Sequence, residues 1–165
     1  PARGLIGFQT EFRTTTSGLG LLFHVFDHYA PVSERAIASR QNGVMISNGQ
    51  GTVLGYSLFN LQERGRLMVA HGDEVYEGQI VGIHSRDNDL VVNPLKGKKL
   101  TNIRAAGRDE NIVLTPPVRY TLEQAMEFIE DDELVEITPT SIRIRKRALK
   151  ELDRKRAGRA ATEDA

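Results

Sequence analysis

The chain has 165 residues, of which 39% are hydrophobic and 27% charged, so it suits a globular protein with a modest core and is too short for a multi-domain enzyme. It has no cysteine and no apolar run long enough to cross a bilayer, which excludes a disulfide framework, a thiolate metal site and a transmembrane segment. We expect a cytoplasmic protein.

The first segment begins at Pro1 without an initiator Met, and we expect it to be a piece of a longer chain. Apolar residues at near-helical spacing predict a helix within 5–17, and the aromatic run 21–29 predicts a strand. A lone helix and strand cannot bury their own apolar faces. Residues 1–32 therefore resemble half of an α+β domain, with a linker at 33–42.

The sequence changes in character from Gly43 on, where short apolar runs alternate with turns of Gly, Asn and Asp. Frequent strands with frequent turns favour a small barrel or sandwich. Residues 57–64 could instead be helical. A helix is predicted over 121–129, with Thr121 as N-cap and Gln124 completing a reciprocal capping box.

Further strands are predicted around 112–114 and in a hairpin of 134–138 with 141–145. The predicted fold class is α+β, in which the helix-strand segment precedes a mainly β, barrel-like domain with one or two short helices. We assign that domain to residues 43–145 and a basic helix and tail to residues 146–165.

Charge is segregated along the chain, although 22 basic residues balance 22 acidic ones. Residues 123–136 carry seven acids and no base, residues 95–108 carry five bases and no acid, and residues 143–159 carry nine bases and two acids. Screening confines such fields to about 8–10 Å, so local charge decides where a phosphate backbone binds. Two basic sites are therefore possible on a neutral protein.

The first basic site is the long loop 93–110, and long loops in compact domains are usually functional. Its bases can follow a phosphate backbone, and its polar side chains can bond to sugar or base edges. The candidate RNA-binding residues are Lys96, Lys98, Lys99, Thr101, Asn102, Arg104 and Arg108. The alternative is a solvated surface loop. We expect the loop to be poorly ordered in isolation, because its like charges repel.

The second basic site begins at the end of the predicted hairpin and runs into the tail. Its candidate RNA-binding residues are Arg143, Arg145, Lys146 and Arg147, followed by the bases of the tail helix. The alternative is that these bases pair with the acidic residues 130–133. Both interpretations can hold for different residues.

Patterns for catalysis and metal binding are missing from the sequence. His24 and His28 lie ~13 Å apart if they share a strand, which is too far for a common metal ion. No nucleophile elbow and no phosphate-binding loop occur. We predict no catalytic residue, no metal and no cofactor in this chain.

Two other classes of function stay open. The phrase HGDEVYEGQIVGI is similar to a turn of biotinyl or lipoyl carrier domains, which present one modified lysine. We attribute that likeness to turn geometry in which Gly72 and Gly78 adopt backbone angles that other residues avoid. A module that binds an acidic protein is the other alternative.

Several phrases, in this order, resemble the BipA/TypA family of translational GTPases. They are PARGLIGFQTEF, TSGLGLL, RQNGVMISNGQG, AHGDEVYEGQIVGIHSRDNDL, GKKLTNIRAAGRDE and TLEQAMEFIEDDELVEITPTSIRIRKR. The resemblance covers nearly the whole chain. It implies that residues 1–32 are the closing helix and strand of a ferredoxin-like domain shared with elongation factor G, followed by the family's own C-terminal domain. The final AATEDA matches no feature of the family.

The resemblance also implies partners. The parent would be a monomeric GTPase that binds the 70S ribosome and acts in ribosome assembly and in stress or low-temperature adaptation. Its GTP and magnesium would be bound by a domain outside this sequence. The loop 93–110 matches the family loop that approaches large-subunit rRNA and the acceptor end of A-site tRNA.

Overall fold

The first helix lies where the apolar spacing predicts one. The computed structural model describes residues 5, 8–31, 40–97 and 112–163. Helix α1 spans Phe8–Thr15, and the rings of Phe8 and Phe12 lie one turn apart with centroids separated by 5.9 Å. The chain leaves the helical conformation at Ser17 and Gly18, whose φ angles are 52° and 81°. The helix prediction is confirmed.

The strand predicted at 21–29 is not formed. Leu21, Phe23 and Val25 are 78%, 84% and 93% exposed. A strand needs a neighbour to bond its backbone N–H and C=O groups, and no strand among the described residues pairs with this segment. The alternating apolar side chains therefore have no partner within the described part of the chain.

A four-stranded sheet forms the centre of the second part of the chain. The elements are β1 (Val44–Ser47), β2 (Gly51–Thr52), α2 (Gly55–Leu61), β3 (Gly65–Leu67), β4 (Glu74–Val75), β5 (Ile80–His84), β6 (Leu90–Val92), α3 (Leu122–Phe128), β7 (Glu133–Ile137), β8 (Ile142–Lys146) and α4 (Glu151–Glu163). The sheet has the order β3-β5-β1-β6, with β1 and β6 parallel and the other pairs antiparallel. Strands β2 and β4 pair separately, as do β7 and β8.

Two apolar cores cover opposite faces of the central sheet, because successive residues of β1 point to opposite sides. Met45 belongs to the first core, with Leu58 of α2. Val44 and Ile46 belong to the second core, with Ala125 of α3. All four residues of β1 are buried, as expected for a strand covered on both faces.

The two short helices and the hairpin match their predictions. Thr121 Oγ1 accepts from the Gln124 backbone N–H at 3.3 Å, and the Gln124 side chain accepts from the Thr121 N–H at 3.0 Å. Helix α2 continues into a 3-10 turn, Gln62–Arg64, which confirms the helical alternative for 57–64. The β7–β8 hairpin pairs antiparallel and closes with a bond from the Thr138 N–H to the Ser141 carbonyl.

The predicted α+β class, with a mainly β domain and short helices, is confirmed, but three details of the domain differ from expectation. The described strands form separate sheets of four, two and two strands, so they close no barrel. Residues 112–114 form no strand. The terminal helix begins at Glu151, because Lys146 is the last residue of β8. None of the helices in the described ranges is long and apolar enough to span a membrane.

The turn before β5 fixes where α4 begins. Gly78 has a φ of 87°, and a Cβ placed on it would lie 2.6 Å from Leu149 Cα and 2.7 Å from the Leu149 carbonyl oxygen. The neighbouring Glu77 carboxylate accepts from the Glu151 backbone N–H at 3.2 Å. Only a glycine allows the two backbones to approach this closely.

Gly78 and Gly72 form a matched pair for a stability test. Both have left-handed φ angles, 87° and 90°, but nothing lies within 4 Å of a Cβ on Gly72. We expect Gly72→Ala to lower the free energy of unfolding by about 1 kcal/mol through backbone strain alone. Gly78→Ala adds a clash with backbone atoms and should cost about 2–4 kcal/mol in urea unfolding. Equal costs for the two variants would contradict this account of the α4 junction.

Candidate functional site

The basic loop leaves the sheet after β6 along a stem held by helix α2. The Asn93 carbonyl accepts from the Ser57 hydroxyl at 2.5 Å, and the Pro94 carbonyl accepts from the Leu54 N–H at 3.1 Å. Leu95 packs against the first core. Lys96, the next residue, is exposed. The departing stem is therefore fixed up to the first base of the loop.

The loop returns along a second stem held by the turn that follows α2. The Gln62 amide donates to the Val113 carbonyl at 3.1 Å, and its oxygen accepts from the Thr115 N–H at 3.0 Å. Leu114, between them, packs against the same core as Leu95. The two stems are thus attached to one short helical element.

Most of the predicted loop contacts lie outside the described residues. Those outside are Lys98, Lys99, Thr101, Asn102, Arg104 and Arg108. Lys96 is the predicted base whose position is described, and it is exposed at the end of the departing stem. The prediction of loop disorder concerns the same part of the chain and is likewise outside the described ranges.

Arg143 and Arg145 of β8 face a carboxylate on the neighbouring strand. Their guanidinium nitrogens lie 3.4 Å and 3.8 Å from the Glu136 carboxylate, which also accepts from the Tyr76 hydroxyl at 2.6 Å. Burial, together with the bond to Glu136, raises the pKa of Tyr76 above its ordinary value. Both arginines are half-buried, so a phosphate would compete with Glu136 for them.

Lys146 is buried, which removes it from the candidate RNA-binding residues. Its residue exposure is 2%, and its Nζ lies 2.7 Å from Asp89, 2.9 Å from Asp132 and 3.0 Å from Glu133. Burial alone would lower the pKa of this ammonium, but the hydrogen bonds to the three carboxylates outweigh burial and raise it. The alternative of pairing with the acidic residues 130–133 therefore holds for Lys146.

The burial of Lys146 had a signal in the sequence. Alternate residues of a strand share a face, so Ile142, Ile144 and Lys146 point to the same side of β8. Ile144 is in the second core. A strict period-two interpretation would have placed Lys146 inward, whereas the run of basic residues around it pointed to the surface. Arg147, one residue further on, is exposed.

Arg40, which the sequence analysis assigned to the linker, also binds the Glu133 carboxylate that Lys146 contacts. Its guanidinium bonds both oxygens of Glu133, at 2.8 Å and 2.9 Å, and lies 3.3 Å from Glu130. It also stacks over the ring of Phe128, 4.5 Å from the centroid. We call six residues the ionic cluster: the bases Arg40 and Lys146, and the acids Asp89, Glu130, Asp132 and Glu133.

The ionic cluster is held together by charge. The side chain of Glu133 has an exposed fraction of 0%. Burial would raise the pKa of its carboxyl, but the hydrogen bonds from Arg40 and Lys146 lower it overall. Glu130, Asp132 and Glu133 approach within 4.8 Å, a spacing that could suit a metal ion. Arg40 and Lys146 already supply the positive charge at this position.

Comparisons with known proteins match nearly the whole chain. Residues 42–151 match the model of the TypA/BipA C-terminal domain, and residues 1–40 match the elongation factor G C-terminus. The large ribosomal subunit assembly factor BipA of Escherichia coli K12 is 65% identical over 99% of the chain. The proteins of that name from Haemophilus influenzae and Buchnera aphidicola are 64% and 58% identical, each over 98% of the chain.

The chain belongs to the TypA/BipA family, since the family's domain model covers 42–151 and the matches extend over nearly all of its residues. It spans 27% of the length of the Escherichia coli relative and 26% of the other two. The family predicted from the sequence phrases is therefore confirmed.

The contacts of Arg40 predict at which residue the C-terminal domain can begin without loss of stability. A chain of residues 40–163 retains the ionic cluster, whereas a chain of residues 43–163 leaves Glu133 with Lys146 alone. We expect both to unfold cooperatively, with the shorter chain about 2–3 kcal/mol less stable. The reason is that loss of Arg40 leaves the buried Glu133 carboxylate with one fewer positive partner. Thermal and urea unfolding would measure this. Absence of a cooperative transition in both would contradict the proposal that the domain folds without residues 1–32.

The ionic cluster should also make the free energy of unfolding depend on pH in the acidic range. Because folding lowers the pKa of Glu133 below its ordinary 4.5, its contribution is complete above that pH and is lost as the pH falls through the folded value. We expect Glu133→Gln to cost about 3 kcal/mol near neutral pH and progressively less below about pH 4.5. Urea unfolding at several pH values, with the exposed Glu127→Gln as control, measures this. A deficit that is independent of pH contradicts it.

Proposed function

We propose that this chain is the ribosome-facing C-terminal portion of a translational GTPase that assists assembly of the large ribosomal subunit. The observation that carries the proposal is the 65% identity, over 99% of the chain, to proteins named large ribosomal subunit assembly factor BipA. On this proposal GTP and magnesium are bound elsewhere in the parent protein. This portion binds and does not catalyse.

The proposed domains keep the bounds expected from the sequence, and the two family matches, at 1–40 and 42–151, support a division of the chain near residue 41. Residues 1–32 close a ferredoxin-like domain, 33–42 connect, and 43–145 form the family's own domain. Its proposed partners in the cytoplasm are the 70S ribosome, the large-subunit rRNA and the acceptor end of A-site tRNA, bound by a monomer. A role of the parent in stress or low-temperature adaptation belongs to the same proposal.

The basic loop is the proposed RNA contact. Residues 95–108 contain five bases and no acid, and both stems are attached to the body of the domain. Lys96 lies exposed at the departing stem. Arg147 is an additional candidate, and Arg143 and Arg145 are weaker ones because Glu136 competes for them. Phosphate contacts of this kind make affinity depend on salt.

Replacement of Lys96, Lys98 and Lys99 by Ala in the full chain tests the contact. Each lost phosphate contact should reduce the slope of log affinity against log salt by roughly 0.7–0.9, so three contacts should flatten it by about two units. Binding to purified large ribosomal subunits would be measured at several salt concentrations. Surface lysines make few packing contacts, so the free energy of unfolding should change by no more than about 0.5 kcal/mol.

The matched control removes two bases from α4. Lys155→Ala with Arg156→Ala takes away exposed charge whose ion pairs, among the described residues, lie within its own helix, with Glu151 and Asp153. Arg154 is kept, because its guanidinium donates to the Ala148 and Leu149 carbonyls and so supports the start of the helix. If the control abolishes binding while the loop variant keeps its full salt slope, the loop is not the RNA contact.

A further inference from the structure

We propose that Ser57 and Gln62 are positioning residues for the basic loop: they bond its departing stem at Asn93 and its returning stem at Val113 and Thr115, and so restrict where the loop can meet RNA. This inference rests on the proposed function, because it assumes that the loop binds RNA. Neither residue is charged, and neither needs to touch RNA in this role. Their effect on binding would pass through the two stems.

The two anchors belong to one rigid element. Ser57 lies in α2 and is 4% exposed, and Gln62 begins the 3-10 turn that follows directly. At about 1.5 Å per residue the two positions lie roughly 8 Å apart along the helix. The departing stem at Asn93 and the returning stem at Val113 are therefore held at a short and fixed separation.

The Gln62 side chain bonds the backbone of the returning stem as a neighbouring strand would. Its side-chain amide donates to the Val113 carbonyl and accepts from the Thr115 N–H, which are the bonds that a paired backbone amide would make. The Thr115 hydroxyl lies 3.3 Å from the same Gln62 oxygen. Residues 112–114 pair with no strand among the described residues, and the Gln62 side chain bonds the backbone on either side of Leu114 instead.

The apolar contacts and the polar contacts have separate effects. Leu95 and Leu114 pack against the first core and so keep both stems on the domain. Such packing is non-directional, whereas the bonds from Ser57 and Gln62 fix orientation. Without Gln62, the next backbone bond that ties this stem to the domain is from the Val118 N–H to the Leu67 carbonyl. The residues between the loop and Val118 would then have to be ordered again when RNA binds, at a cost in conformational entropy.

This reasoning separates positioning from direct contact. Loss of a phosphate contact changes the dependence on salt, because fewer counterions are released. Loss of a positioning residue leaves every charge in place, so the salt slope stays the same while the affinity falls at each salt concentration. A role in folding alone would lower the thermal midpoint and leave the affinity of the folded protein unchanged.

The test uses the full chain and purified large ribosomal subunits as the probe. Gln62→Met keeps the length of the side chain and removes both hydrogen-bonding groups, and Ser57→Ala removes the other anchor. Asn60→Ala is the matched control, because Asn60 is an exposed amide on α2 that bonds only to the Tyr56 carbonyl of its own helix among the contacts described. Affinity, salt slope and thermal midpoint are measured for each variant.

We expect Gln62→Met to lower the affinity by about tenfold, the loss that follows when one or two residues must be ordered on binding. Its salt slope should equal that of the parent, and Asn60→Ala should bind like the parent. If Gln62→Met binds as the parent does while the triple lysine variant flattens the slope, this inference is wrong and the proposed function stands. If the triple lysine variant keeps the full slope, the proposed contact fails and the positioning role fails with it.

Discussion

Glu133 carries its carboxylate into the interior, where an isolated negative charge would be far too costly to keep. It is tolerated because Arg40 bonds both oxygens from one side and Lys146 approaches from the other. Arg40 precedes β1, Glu133 begins β7 and Lys146 ends β8. Asp89, in the turn between β5 and β6, joins them through Lys146. Buried ion pairs add little net stability, but each member is satisfied in one arrangement only. The cluster therefore specifies how the chain enters and closes the domain.

The central sheet separates the acidic run 123–136 from the stems of the basic loop. The stems of the basic loop pack on the first core through Leu95 and Leu114, and the acidic run packs on the second core through Phe128 and Val135. Since the two cores cover opposite faces of the sheet, the acidic residues are held away from the base of the loop. Screening over about 8–10 Å therefore limits the effect of the acidic run on Lys96, the loop base whose position is described.

Local patterns predicted the parts of the fold that depend on neighbours in sequence. Helix α3 follows from Thr121 and Gln124, and the β7–β8 hairpin follows from alternation on either side of its turn. Whether residues 21–29 form a strand, and whether the strands close into a barrel, depends on pairing partners that no local pattern supplies. Lys146 was assigned to the surface because the basic residues around it outweighed the alternating pattern of β8, and its partner Asp89 lies far away in sequence. Arg40 gave no local signal, since its partner Glu133 is 93 positions away. Charge and length identified the basic loop and the family phrases matched it, but neither indicated that α2 and its following turn hold it.

The attachment of both stems to α2 has a consequence for how this domain can diversify. The two ends of the loop are fixed on one short helical element, so this element, and not the sheet, holds them together. The entropic cost of such closure grows slowly, by about 0.6 kcal/mol for each doubling of length. Insertions, deletions or a new composition between Gly97 and Ile112 should therefore leave the rest of the domain almost unaffected. The domain can serve as a frame into which a binding segment of different length or chemistry is grafted, provided that Ser57 and Gln62 remain.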